Sequence, residues 1–173
     1  MINEIIKKNG ISFGILTGVF TALMSTTIYT IDLNLFASWW VGIISKLVYF
    51  VIVIILLNKT KKEINGFFSF KDAFTTYFIC VTIGIGIGTF FSVLLFNVID
   101  PSAQTMLTEI TIKNAVSMMQ KMGTPASIIN EKIEQLKESN PITELIKSAV
   151  FSIVFSSIIG LIMAAFFKSK SQE

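Results

Sequence analysis

An all-α integral membrane fold, a bundle of four spanning helices, is what this sequence predicts, and three observations predict it. Apolar residues fill 53% of the 173 positions and charged ones only 14%, with a positive mean hydropathy, which leaves too little polar surface to cover a soluble domain of this size. Three runs free of Asp, Glu, Lys and Arg, from Asn9 to Ile31, Ala73 to Ile99 and Ser148 to Phe167, hold at least 20 residues each, and a fourth, Leu33 to Asn58, is broken only by Lys46. At about 1.5 Å rise per residue such runs match the ~30 Å hydrocarbon thickness of a bilayer. The third observation is a small residue at every fourth position. The ladders are Gly10, Gly14, Gly18, Ala22, Thr26, then Thr76, Cys80, Gly84, Gly88, Ser92, then Ser148, Ser152, Ser156, Gly160, Ala164. Helices in lipid associate by van der Waals packing, and small side chains let their backbones approach.

The first span is expected over about 10–31. Lys7 and Lys8 before an apolar stretch imitate a secretory signal, but the stretch runs on to Ile31 with no small-residue cleavage step, so the segment is expected to be retained as a helix. Asp32 to Ser38 reads as a short turn in which Asp32 caps or sits at the interface. The second span, about 36–57, opens beside Trp39 and Trp40, whose rings suit the headgroup zone. Ser69 with Asp72 three residues on is a capping box that starts the third helix near Phe70, with its span over about 72–99 and Phe67, Phe68 and Phe70 at the membrane surface.

Each of the three prolines follows a capping residue: Asp100-Pro101, Thr124-Pro125 and Asn140-Pro141. Each pair reads as N-cap plus first helical position, so helices are expected to begin at 101, 125 and 141. Gly123 should close the helix from Pro101, and Ile129, Ile133 and Leu136 share one face of the next. Residues 101–140 therefore form an amphipathic helical hairpin between the third and fourth spans, and the fourth span covers about 145–167. The 173 residues form a single domain.

Orientation follows from the lysines. Lys7, Lys8, Lys59, Lys61, Lys62, Lys71, Lys168 and Lys170 fall on one side of a four-span chain, which the positive-inside rule makes cytoplasmic. Both termini are then cytoplasmic in a bacterial inner membrane, and the hairpin, where acids outnumber lysines, is extracytoplasmic.

The segment Phe68-Ser69-Phe70-Lys71-Asp72-Ala73-Phe74, reached from a Lys-rich loop with Gly66 and followed by a span ending in Ile99-Asp100-Pro101, resembles the domain-of-unknown-function family DUF4199. In small four-span proteins of Bacteroidota, that family has a similar aromatic-Ser-Phe-x-x-Ala-Phe start and an Asp-Pro exit from the third helix. The resemblance covers nearly the whole chain. It implies the four-span fold and brings no activity, ligand or catalytic residues with it.

The chemistry available inside the spans is sparse. The net charge of +3 comes from 14 lysines against 11 acids, with neither Arg nor His, and phosphate or nucleic-acid sites usually lean on guanidinium forks. No nucleic-acid partner is expected. Serines and threonines are plentiful, but no carboxylate lies within the first, third or fourth core to activate them, so an enzyme is not expected and no cofactor is implied. A single cysteine, Cys80, cannot close an intramolecular disulfide. Lys46 is the one charge well inside a span. A Lys there costs about 2.5–3.5 kcal/mol on insertion scales, which invites a role as counter-ion, gate or anion site, against a plainer reading of snorkelling toward the outer interface and its headgroups, with Asp32 and Asp100 as candidate partners. Met118, Met119 and Met122 could hold a soft ion such as Cu(I) if they converged. Without Cys or His beside them, residues 106–122 read better as an apolar patch for the bundle, the lipid surface or a membrane or periplasmic partner.

The expected function is that of a non-enzymatic membrane protein, a scaffold or accessory subunit in contact with the lipid bilayer, with Gly14, Gly18, Gly84, Gly88 and Gly160 as packing residues. Gly84, Gly86 and Gly88 crowd one turn and suggest homo-oligomerisation through the third helix. The alternative is a small oligomeric channel or transporter with Lys46 in its path.

Overall fold

Helix is the only regular secondary structure among the described residues, 2–169, of the computed structural model. Residues 1 and 170–173 are not described, so Lys170 lies outside the described residues. The chain runs α1 (Glu4–Ile31), a 3-10 turn (Leu33–Ala37), α2 (Trp39–Glu63), α3 (Phe70–Val93) with a π-helical continuation (Leu94–Ile99), α4 (Pro101–Lys121), α5 (Ala126–Glu138) and α6 (Pro141–Phe167). Four of these, α1, α2, α3 with its continuation, and α6, are long and apolar enough to cross a membrane. The shortest, of 25 residues, is roughly 37 Å long at the usual rise.

The helices outrun the expected spans because polar caps lie beyond the apolar runs. Asn3 caps α1 by accepting from the Ile5 amide at 2.8 Å, and Asn140 caps α6 by accepting from the Ile142 and Thr143 amides. The capping box at α3 forms as expected: Ser69 Oγ accepts from the Asp72 amide at 3.1 Å, and Asp72 Oδ2 accepts from the Ser69 amide at 3.2 Å. Three local expectations are corrected. The second helix starts at Trp39 rather than 36, because the Asp32 carboxylate accepts from the Asn34 amide and winds 33–37 into a separate 3-10 turn ended by extended Ser38. The fifth helix starts at Ala126, with Pro125 itself as the cap. Pro125 is extended (ψ 143), and its carbonyl accepts from the Ile128 and Ile129 amides. Just before it α4 closes: Gly123 is left-handed (φ 72), its amide donates to Gln120 O and that of Thr124 to Met119 O, the paired bonds of a Schellman motif. Third, Phe68 is not a surface residue. It is fully buried, while Phe67 and Phe70 remain exposed.

Helix α3 is the hub, packed along α1 on one side and α6 on another. The α1–α3 seam is built from two ladders facing each other. Ile79, Ile83 and Ile87 sit over Gly10, Gly14 and Gly18, and Thr17 and Thr21 sit over Gly84 and Gly88. A Cβ on Gly14 would lie 2.8 Å from Ile83 Cβ and 2.9 Å from the Cys80 carbonyl, and one on Gly18 would lie 2.6 Å from Ile87 Cβ. A four-residue step drifts by about 40° per repeat, so the seam leaves the ladder toward the end of α1. Buried contact passes to Ser25 and Ile28 while Thr26 turns outward.

Two cores close the ends of the seam. At one end Val53, Leu57, Phe68, Ala73, Tyr77, Val81, Met163 and Ala164 join α2, α3 and α6. There the Ser169 amide donates to Phe68 O at 2.8 Å, and the Lys61 ammonium donates to Phe167 O at 3.0 Å, placing a cation on the negative end of α6. This clamp is what draws Phe68 inward. At the other end Leu95, Phe96 and Ala103 pack with Tyr29, Leu33 and Leu107, so the root of α4 stands on the 3-10 turn and the π segment. α5 folds back on α4 through Ile129, Ile133 and Leu136, the face expected from their spacing.

Candidate functional site

Helices α2 and α6 barely touch, and the space between them is a cleft of about 920 Å³ floored by α3. The reason lies in how α2 is held. At one end Leu57 and Val53 seat it in the core, and Asn9 donates to Thr60 Oγ1 at 3.2 Å and to Glu63 Oε2 at 2.7 Å. Further along, Tyr49 OH and Thr21 Oγ1 lie 3.2 Å apart in a hydrogen bond that draws α2 toward α1, across Gly84. These ties pull α2 to the α1 side. Among the described residues nothing comparable joins α2 to the N-terminal half of α6.

Lys46 lines this cleft, exposed, about 10 Å along α2 from Trp39. Among the described residues it has no ion-pair partner, the two ion pairs being Lys59–Glu63 and Lys147–Glu144. The two carboxylates considered as snorkelling targets are engaged elsewhere. Asp32 Oδ1 accepts from the amide and side chain of Asn34, and these bonds hold its carboxyl below the usual range. Asp100 accepts from Ser102 Oγ, from Tyr29 OH at 2.8 Å and from the Ala103 amide at 3.1 Å, which lowers its pKa in the same way, the Ser102 bond contributing most. Lys46 snorkelling onto either acid is therefore not what the structure contains.

The other polar groups of the cleft are hydroxyls. Ser148, Ser152 and Ser156 enter from α6, Thr89 and Ser92 from α3, Ser45 and Tyr49 from α2. Helical Ser and Thr in an apolar setting commonly bond the carbonyl four residues back, and Ser45, Thr21, Thr60 and Ser157 do so here. Ser148, Ser152, Thr89 and Ser92 have no intramolecular hydrogen bond among the described residues, so these hydroxyls face the cleft uncommitted. The lower wall is apolar, with Val53, Val81, Ile159 and Met163. Phe151, Phe155, Leu47 and Phe50 form exposed rims.

The five packing glycines lie at helix contacts. Gly160 abuts the Tyr77 ring, with a Cβ there 2.6 Å from Cε1, while Gly86 and Gly42 would have nothing within 4 Å. The small-residue ladder of α6 is thus divided. Gly160 and Ala164 pack on α3, whereas Ser148, Ser152 and Ser156 line the cleft. Sequence reasoning assigned the whole ladder to packing, although its N-terminal members are all serine, the one signal that could have separated them. Met106, Met118 and Met122 are exposed on α4.

A family model described as "Protein of unknown function (DUF4199)" matches residues 12–169. No curated protein and no solved structure matches the chain.

Proposed function

The chain belongs to the DUF4199 family, and we propose that it is a non-enzymatic protein of the bacterial inner membrane, an accessory or scaffold subunit whose working part is the lateral cleft between α2 and α6, where it holds a guest molecule. The cleft carries this reading. Its volume of about 920 Å³ falls inside the range of roughly 300–1,000 Å³ typical of ligand sites, and it pairs apolar walls with a few convergent polar groups. Catalysis would need a nucleophile, a base and an orienting group together. The cleft offers hydroxyls and one lysine amine, and no hydroxyl is hydrogen-bonded to Lys46 among the described residues.

The proposal includes the orientation argued from the lysines, with both termini cytoplasmic and the α4–α5 hairpin outside, its methionine surface available to a partner. Self-association through α3 would use the open face at Gly86, because Gly84 and Gly88 are taken up by α1. A purely monomeric mass in native-like detergent would contradict that part.

Filling the cleft tests the central reading. Protein extracted in mild detergent should carry a guest detectable by native mass spectrometry, and Ser152→Trp should lose it while staying monodisperse. Equal occupancy in both proteins would overturn the proposal. The second reading, an oligomeric channel or transporter with Lys46 in its path, is favoured by the free ammonium. It predicts solute flux in liposomes that Lys46→Leu abolishes; flux that is absent, or unaltered by the substitution, would exclude it.

A further inference from the structure

We propose that the guest is an anionic glycerophospholipid, with its phosphate at Lys46 and an acyl chain lying down the cleft toward Met163. This rests on reading the α2–α6 cleft as a guest site, and four observations choose the guest. The first is charge. Lys46 lines the cleft with no acidic partner among the described residues, and Asp32 and Asp100 are both satisfied elsewhere. An ammonium at this depth is favoured by a counter-charge within reach of its stem. The apolar runs 9–31, 73–99 and 148–167 of α1, α3 and α6 contain no acid that could serve as one.

Depth is the second observation. Lys46 stands about 10 Å along α2 from Trp39, and Ser92 and Ser148 lie about as far from the corresponding ends of the π segment and of α6. Indole rings such as Trp39 mark the headgroup level, and a lysine stem reaches from hydrocarbon toward it. A phospholipid phosphate occupies that zone in every bilayer.

Polarity along the cleft is the third. Lys46, Ser92 and Ser148 occupy the end nearest Trp39 beside Leu47 and Leu145, and Val53, Val81 and Met163 line the far end with Tyr77, so the cleft's one charge sits at the Trp39 end, as it does in an amphiphile lying along the helices. The last is hydrogen-bonding capacity. Ser148 and Ser152 have uncommitted hydroxyls that can donate to phosphate or ester oxygens, as charge-assisted donors to anionic oxygen do. A partner helix would need to bring its own carboxylate to the same depth, whereas a lipid brings its anion there by construction. A zwitterionic lipid carries an ammonium that competes for its phosphate, so the site should discriminate between headgroups.

Native mass spectrometry of the purified full chain, incubated with equal amounts of chain-matched phosphatidylglycerol and phosphatidylcholine, reads this directly. One lysine near an anionic headgroup corresponds to about a fivefold preference. The wild type should retain phosphatidylglycerol over phosphatidylcholine by about that factor. Lys46→Arg and Lys147→Gln should keep the preference, and Lys46→Gln should bring it to about one while still retaining lipid. Ser152→Trp should retain neither lipid. Equal retention of the two lipids by the wild type, or an unchanged preference in Lys46→Gln, would overturn the inference and leave the guest site standing. A wild type that retains no lipid, or a co-purified polypeptide in the cleft that lipid does not displace, would overturn it too, and retention unaffected by Ser152→Trp would sink the guest site itself. Should Lys46→Gln fail to fold, the headgroup ratio of the wild type decides alone.

Discussion

Gly14 and Gly18 differ from Gly42 and Gly86 only in what stands opposite them. At the first two a methyl group would meet Ile83 or Ile87 at 2.6–2.8 Å, and at the other two it would meet nothing within 4 Å. Overpacking of this kind costs roughly 1–3 kcal/mol. Gly14→Ala and Gly18→Ala should therefore lower the thermal midpoint in detergent, whereas Gly42→Ala should leave it unchanged or raised, since alanine is the better helix former. A Gly18→Ala protein as stable as the wild type would contradict the seam. Ser69→Ala should cost about 0.5–2 kcal/mol by removing the half of the capping box in which Ser69 Oγ accepts from the Asp72 amide, together with the Ser69 Oγ–Asp72 Oδ2 bond. The glycines and this box were legible in the sequence, because four-residue spacing and Ser-x-x-Asp follow from local geometry. The inward turn of Phe68 was not legible. It depends on the Ser169 and Lys61 clamp from the far end of the chain, which no local pattern records.

The junction of α3 and α4 depends on one carboxylate. Asp100 caps α4 and accepts from Tyr29 of α1, and its carboxyl is held below its ordinary value of 3.8. A carboxyl depressed by folding contributes stability that is complete above the ordinary value and is lost as pH falls through the lower folded one. Amides in the first turns of α4 should exchange faster, as pH falls below 3.8, than the intrinsic pH trend allows, and Asp100→Asn should remove that excess pH dependence. Equal acid sensitivity in Asp100→Asn would contradict the assignment. Proline caps made the starts of α4 and α6 readable from sequence. The start of α5 shifted because Pro125 is extended (ψ 143), so its carbonyl takes the first helical bonds, from the Ile128 and Ile129 amides. The α6 ladder shows the same limit. Spacing identified it as a close-packing stripe, but only the lean of α2 toward α1 decides that its serines face a cleft. Ser148→Ala and Ser152→Ala should leave the thermal midpoint nearly unchanged, whereas Gly160→Ala, against the Tyr77 ring, should lower it.

Viewed whole, the molecule packs α1 and α6 along α3 and ties α2 to α1 and to the core at one end, which leaves a cleft open between α2 and α6. The number and length of these helices were legible because hydropathy and charge-free run length are direct physical requirements of a spanning helix. The cleft was not, because it arises from contacts among Asn9, Thr60, Tyr49 and Thr21 on two helices. Lys46 stood out in the sequence as an anomaly of charge, and its surroundings came only with the tertiary structure. The proposed orientation predicts that, in a Cys80→Ser background, Gln120→Cys is labelled by an impermeant maleimide on intact spheroplasts and Lys62→Cys only after lysis. The reverse pattern would invert the topology. The cleft itself is tested most directly by photolabelling the wild type in vesicles that carry a diazirine-tailed phosphatidylglycerol and mapping the adducts by peptide mass spectrometry. Adducts at Val81 and Ile85, on the α3 floor reached between α2 and α6, are the predicted result. Adducts confined to outward residues such as Phe90 and Phe166, with none on that floor, would contradict it.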